Sequence, residues 1–181
     1  MGDWWSKVFE DFQDVPDLAE AVRLSVRLLL AAALGGLLGY ERERAGKSAG
    51  LRTHMLVALG SALFVLIPDQ AGMSDADNSR VIQGVVAGVG FLGAGAIVKG
   101  GTETDIQGLT TAAGIWLTAA VGIAAGIGRE VSTILGALLA FFILSALGRQ
   151  SHWMKVDQRN QDQVANETHK CTGRHGDCDR S

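Results

Sequence analysis

Two arginines four residues apart, Arg23 and Arg27, stand inside the first long apolar run of the chain. On a helix that spacing places them on one face. Arg23 is near enough to the start of the run to reach water beside Glu20 by bending its stem outward. Arg27 lies nine residues past Leu18, roughly 13 Å along a helix. An arginine at the centre of a membrane helix costs at least ~2.5 kcal/mol. It therefore serves a pathway or bonds carbonyls of neighbouring helices, and both readings are open. The same run ends in Glu41-Arg42-Glu43-Arg44, followed by Lys47 and Arg52. A solvated basic loop accounts for the bases but not for Glu41, which is expected to pair with Arg52 across the hairpin.

Other polar residues sit at the edges of later apolar runs. Thr53 follows Gly50-Leu51-Arg52, and Thr110 with Thr111 follow Gly108-Leu109. Hydroxyls at two helix N-termini suit an anion, because free N–H groups and the helix dipole both favour negative charge there. Arg80 and Gln83 open the third run. That run contains Gly88-x-Gly90-x-x-Gly93, the letters of a dinucleotide fingerprint, but a nucleotide site needs a preceding strand and a soluble helix. A nucleotide site is rejected. Five glycines there, Gly84, Gly88, Gly90, Gly93 and Gly95, instead favour close packing, with a loosened helix that bares carbonyls as the rival reading. Ser61, Thr110 and Thr111 have only His54 as a base nearby in sequence, and no carboxylate lies at useful depth. An enzyme is not expected, and no cofactor is implied. Near the C-terminus, His169, Cys171, His175 and Cys178 have the atom types of a zinc site but no standard spacing.

Composition names the solvent. Of 181 residues, 48% are hydrophobic, yet residues 149–181 carry 11 charges and residues 18–148 only 18. Glycine is abundant at 24 and proline scarce at 2, which suits helices that approach closely in lipid. The net charge of −3 offers no basic field for nucleic acid. Five runs approach the roughly 20 residues a bilayer requires: Leu18–Gly39, Leu51–Ile67, Val81–Val98, Leu109–Ile127 and Val131–Leu147. None alternates with period two, so an all-α polytopic bundle of five transmembrane helices in the lipid bilayer is expected. Residues 1–17 are expected to form an interfacial amphipathic helix, their acids arguing against a cleaved leader. Residues 18–148 form the membrane domain, and residues 149–181 a polar, disordered cytoplasmic tail. Bases at Arg42, Arg44, Lys47 and Arg52 place the first loop inside, the N-terminus outside and the C-terminus in the cytoplasm.

Small residues recur at four-residue intervals: Gly114, Thr118, Gly122 and Gly126 in the fourth run, Ala31, Gly35 and Gly39 in the first, and Gly84 and Gly88 in the third. Each stripe predicts a packing face. Gly35 precedes Gly50 by 15 residues, as Gly93 precedes Gly108. This spacing suggests a parallel two-helix repeat, with the fifth helix left over.

Taken in order, Arg27 through Gly39-Tyr40-Glu41-Arg42, Ala49-Gly50-Leu51-Arg52-Thr53-His54, Gly60-Ser61-Ala62, Arg80 with Gln83-Gly84, Gly88 through Gly95, and Gly108-Leu109-Thr110-Thr111 with Trp116 resemble the MgtC/SapB family of bacterial membrane proteins. The resemblance spans about residues 20–130. It implies a five-helix inner-membrane domain, adaptation to low magnesium and to life inside hosts, and a membrane-protein partner, for which the ATP synthase is the family's candidate. A homo-oligomer is also expected. The family's best-known member carries a folded cytoplasmic domain where this chain has a polar tail. Two functions follow: a non-catalytic regulator acting through partner membrane proteins, or a transporter for an ion or small anionic solute using Arg27, Gln83 and a loosened third span.

Overall fold

A computed structural model describes residues 17–99 and 106–146. The proposed interfacial helix at the N-terminus and the four tail residues His169, Cys171, His175 and Cys178 lie outside the described residues. Among the described residues there are five helices: α1 Leu18–Arg44, α2 Leu51–Gln70, α3 Asp75–Gly95, α4 Leu109–Ile127 and α5 Glu130–Ala146. Between α3 and α4 lies a two-residue antiparallel ladder. It pairs β1 (Val98–Lys99) with β2 (Ile106–Gln107), with Val98 opposite Gln107 and Lys99 opposite Ile106. One compact unit runs through Phe141 and a second begins at Phe142; the packing below belongs to the first.

The helices coincide with the five apolar runs, but their ends follow capping chemistry rather than hydropathy. The first helix continues to Arg44 because Glu and Arg are good helix formers and bases suit a helix C-terminus. At 27 residues it is about 40 Å long, more than a hydrocarbon layer of about 30 Å requires. The third starts six residues ahead of its apolar run. Ser74 caps it, its hydroxyl oxygen accepting from the Asp77 N–H at 3.3 Å, with Asp75 and Asp77 in the first turn. Helices α1, α2 and α4 are long and apolar enough to cross a membrane.

Small residues decide how the helices meet. A Cβ on Gly35 would lie 2.7 Å from the Ala58 methyl, and one on Gly39 would lie 2.7 Å from the Leu51 Cα, so α1 lies antiparallel on α2. On α4, a Cβ at Gly114 would face His54 at 3.4 Å, one at Gly122 would run into the Ala58 carbonyl, and one at Gly126 would lie 2.8 Å from the Ala62 carbonyl. Both series ascend together, which makes α2 and α4 parallel neighbours. Where the three helices meet, Ala31, Ala58, Ala62 and Ala125 are fully buried. Large apolar side chains point the other way: Leu29, Phe64, Phe91, Trp116 and Leu139 are all exposed. With methyls at this contact and most large hydrophobics outside, dispersion between close backbones holds the helices together, and the outer surface suits lipid.

The internal repeat is realised in this packing. Gly35, Gly39, Gly50 and His54 correspond to Gly93, Ile97, Gly108 and Ala112, each 58 positions on. Gly39 lies against Gly50 and Leu51, and Gly108 lies against Ala96 and Ile97. Gly35 lies against His54, and Gly93 against Ala112. Gly108 has φ +91, a left-handed conformation that, together with the Ala96 carbonyl pressed on it, admits no side chain.

Two expectations for the third run need correction. No loosening occurs, since α3 is unbroken from Asp75 to Gly95. Its glycine stripe is not an internal seam either: Gly84, Gly88, Gly90 and Gly95 have open space where a Cβ would be. Only Val89 and Gly93 of this helix are buried, and Gly93 alone of its glycines meets a neighbour, the Ala112 methyl at 3.6 Å. A lone helix can satisfy its own backbone in lipid, so glycines need not break it.

Candidate functional site

The C-terminus of α1 and the N-terminus of α2 come together at the first turn of the hairpin. Because Gly50 caps α2 without a side chain, the first N–H groups of α2 need an acceptor from elsewhere. Glu43 supplies it, its Oε2 accepting from the Leu51 N–H at 2.9 Å. Glu41 has a different task. Its Oε2 accepts from the Arg42 Nε at 2.6 Å, and the Arg42 residue is only 3% exposed. A buried pair of this kind recovers part of its desolvation cost through the short charge-assisted bond. The ion pair of Glu41 is with Arg42 and not with Arg52, which is exposed, so the expected Glu41–Arg52 bridge is not made. Neighbouring residues on a helix do not ordinarily face each other, which is why the Glu41–Arg42 partnership was not anticipated. Glu43 was missed as well, although the missing cap at Gly50 was a signal for it.

Behind this pair, one layer deeper, His54 has no solvent exposure. Its Nδ1 is 3.0 Å from the Gly50 carbonyl, and its Nε2 has no hydrogen-bond partner. The Arg42 Cδ and the His54 Nε2 both lie within 4 Å of one point beside Gly114. On α4, Thr111 and Thr118 are buried on the same side as Gly114, and the Thr118 hydroxyl donates to the Gly114 carbonyl at 2.8 Å. The site thus gathers Arg42, His54 and the start of α4, with Glu41 at its edge.

Arg27 stands at the opposite end. Its Nη1 donates to the Gly126 carbonyl at 3.4 Å, and its Nε is 3.7 Å from Oε1 of Glu130. The guanidinium lies against Gly128, whose φ of +81 ends α4. Arg27 therefore caps the C-terminus of α4, where cations are favoured. This is the contact expected of an arginine that bonds the carbonyls of a neighbouring helix. Depth counted from Leu18 misled, because α1 extends past the end of α4 and Arg27 is level with the α4–α5 connection. Fifteen residues, roughly 22 Å, separate Arg27 from Arg42 along α1.

The remaining candidates do not join either cluster. Thr53, Arg80, Gln83 and Thr110 are exposed, whereas Thr111 is buried. Arg27 and Gln83 share no site, so the route imagined through Arg27, Gln83 and a loosened third span is not built. Two apolar clefts mark the flanks of α3. One of about 600 Å³ runs along α2 between Phe64, Gly84 and Gly88. The other, about 350 Å³, lies over Trp116 and Val89.

Three helices fit to cross a bilayer and an outer surface rich in large apolar side chains define a polytopic α-helical membrane protein. The chain belongs to the MgtC family, whose pattern its residues 28–153 match. It is 45% identical to the SrpB protein of Synechococcus elongatus over 140 residues, which is 70% of this chain and 75% of that one. YhiD of Escherichia coli strain K12, a candidate magnesium transporter by its name, is 44% identical over 127 residues, 66% of this chain and 58% of that one. MgtC of Brucella abortus is 47% identical over 95 residues, 52% of this chain. The chain spans three quarters of SrpB but only 39% of that MgtC. No solved structure matches it.

Proposed function

We propose that this protein is a non-catalytic regulator of membrane or ion homeostasis in the bacterial inner membrane, acting in magnesium-limited or host conditions by binding another integral membrane protein. The observation that carries the reading is α3. In a helix of 21 residues only Val89 and Gly93 are buried, and the free face combines Gly84 and Gly88 with exposed Phe91 and Leu92. Small residues beside large apolar ones are what membrane helices use to associate, because the glycines admit a partner's backbone. The basic turn of Arg44, Lys47 and Arg52 supports an orientation with this hairpin in the cytoplasm and the N-terminus outside.

A Gly88→Leu variant, which fills open space, should fold normally and lose partners that cross-link to the wild type in native membranes. Recovery of only self-associated protein from such membranes would argue for a homo-oligomer without a regulatory partner. The transporter reading draws its support from the name of YhiD. Magnesium uptake into proteoliposomes containing the pure chain alone would favour it over regulation.

A further inference from the structure

His54 is the fourth residue of α2 and is completely buried. Its Nδ1 lies 3.0 Å from the Gly50 carbonyl oxygen, which can only accept. In the neutral ring that nitrogen carries the hydrogen, and Nε2 is left with a lone pair. No described group donates to it. A buried acceptor without a partner is destabilising, so its retention asks for a reason.

The molecule holds its own control. Position 54 corresponds to Ala112 in the second repeat, where the Ala112 methyl meets Gly93 at 3.6 Å. A methyl is thus enough to close this helix contact, and hairpin packing does not require an imidazole. The ring reaches beyond its own repeat, toward Gly114 of α4 and the Arg42 side chain.

We propose that Nε2 of His54 is a proton-binding site near the α1–α2 turn, and that its occupancy sets how closely α2 and α4 pack. The lone pair takes a proton from water and forms an imidazolium that still donates through Nδ1 to Gly50 and now presents a second N–H to α4. From α1 the charged groups facing the ring are Arg42 and Glu41. From α4 the facing positions, Gly114, Thr111 and Thr118, carry no charge. The charges of α3, at Asp75, Asp77 and Arg80, follow the far end of α2, sixteen or more residues and roughly 24 Å away along that helix. The new charge is repelled by Arg42, and Glu41 already serves Arg42 at 2.6 Å. Protonation therefore obliges the Glu41–Arg42 pair to rearrange and α4 to shift at Gly114. The contacts at Gly122 and Gly126 have no slack, so the shift propagates along the seam. This holds whether the protein regulates or transports.

The test uses the full chain in lipid nanodiscs, labelled with nitrogen-15 in its histidine rings, with His54→Gln identifying one signal among those of His152, His169 and His175. The expected result is a ring in the Nδ1–H form near neutral pH that becomes doubly protonated on acidification, and whose signal is lost in His54→Gln. A ring that keeps one protonation state throughout, or whose neutral form carries its hydrogen on Nε2, overturns the site. Amide-exchange protection of α2 and α4, corrected for intrinsic rates, should fall on the order of tenfold on acidification in the wild type and stay level in His54→Gln. An equal fall in that variant overturns the coupling. His54→Ala, which copies Ala112, should behave as His54→Gln does in the exchange measurement and provides a second comparison.

Discussion

Arg27 donates to the backbone carbonyl of Gly126 across the α1–α4 contact, at 3.4 Å, and by doing so closes the end of a helix from outside it. Replacing Arg27 with leucine should cost about 1–2 kcal/mol, since a carbonyl at a helix end loses both its donor and a favourable charge. Glu130→Gln should cost less than about 1 kcal/mol, because both partners of that pair are partly exposed and the separation is long at 3.7 Å. Gly128→Ala forces a side chain into a left-handed position and onto the guanidinium. The double variant Arg27→Leu/Gly128→Ala should therefore be less destabilised than the two single effects combined. Denaturation in detergent micelles checks all four.

The glycines of α4 and α3 should behave in opposite ways. At Gly122 even alanine meets the Ala58 carbonyl, so Gly122→Ala should destabilise and Gly122→Leu should prevent assembly of the bundle. At Gly84 and Gly88 alanine enters open space and should be neutral, or stabilising by up to about 1 kcal/mol through helix propensity. Unfolding midpoints of the alanine series decide the matter, and equal losses at all positions would contradict the assigned seam.

Removing the Glu43 carboxylate should weaken the start of α2. Glu43→Ala leaves the Leu51 N–H without its acceptor and is expected to cost about 0.5–2 kcal/mol, as for other lost helix caps. Arg52→Ala should change stability very little, because Arg52 is exposed and Glu41 is committed to Arg42. Were Arg52→Ala the more damaging of the two, the cross-hairpin bridge would have to be restored.

The parallel placement of α2 and α4 fixes which turns share a side of the membrane. With Cys171 and Cys178 changed to serine, single cysteines at Ser48 and Thr110 should react with an impermeant thiol reagent from one side. A cysteine at Met73, in the turn between α2 and α3, should react only from the other. Labelling of intact cells and of inverted vesicles distinguishes the two patterns.

Much of this was legible in the chain itself. Apolar run length located all five helices, and the starts of α1, α2 and α4 coincide with expectation, because in lipid a helix is the simplest way to satisfy a backbone. The four-residue interval of Gly114, Gly122 and Gly126 found the true α4 seam, and the matching Gly35–Gly50 and Gly93–Gly108 intervals found the repeat. Periodicity shows that a face is small, however, and not whether a neighbour covers it. The stripe at Gly84 and Gly88 reads the same as that of α4, yet it stands open because α3 packs chiefly through its C-terminal half. Ion pairing was harder still. Coulomb attraction has no sequence periodicity, so Glu41 pairing with Arg42, Glu43 capping α2 and Arg27 sealing α4 depend on helix rotation and on how far α1 overshoots its neighbours. Sequence alone determined the solvent, the helices and the small-residue faces, since these follow from local composition. Only the tertiary structure decided which faces meet and where each charge rests, because those are relations between helices tens of residues apart.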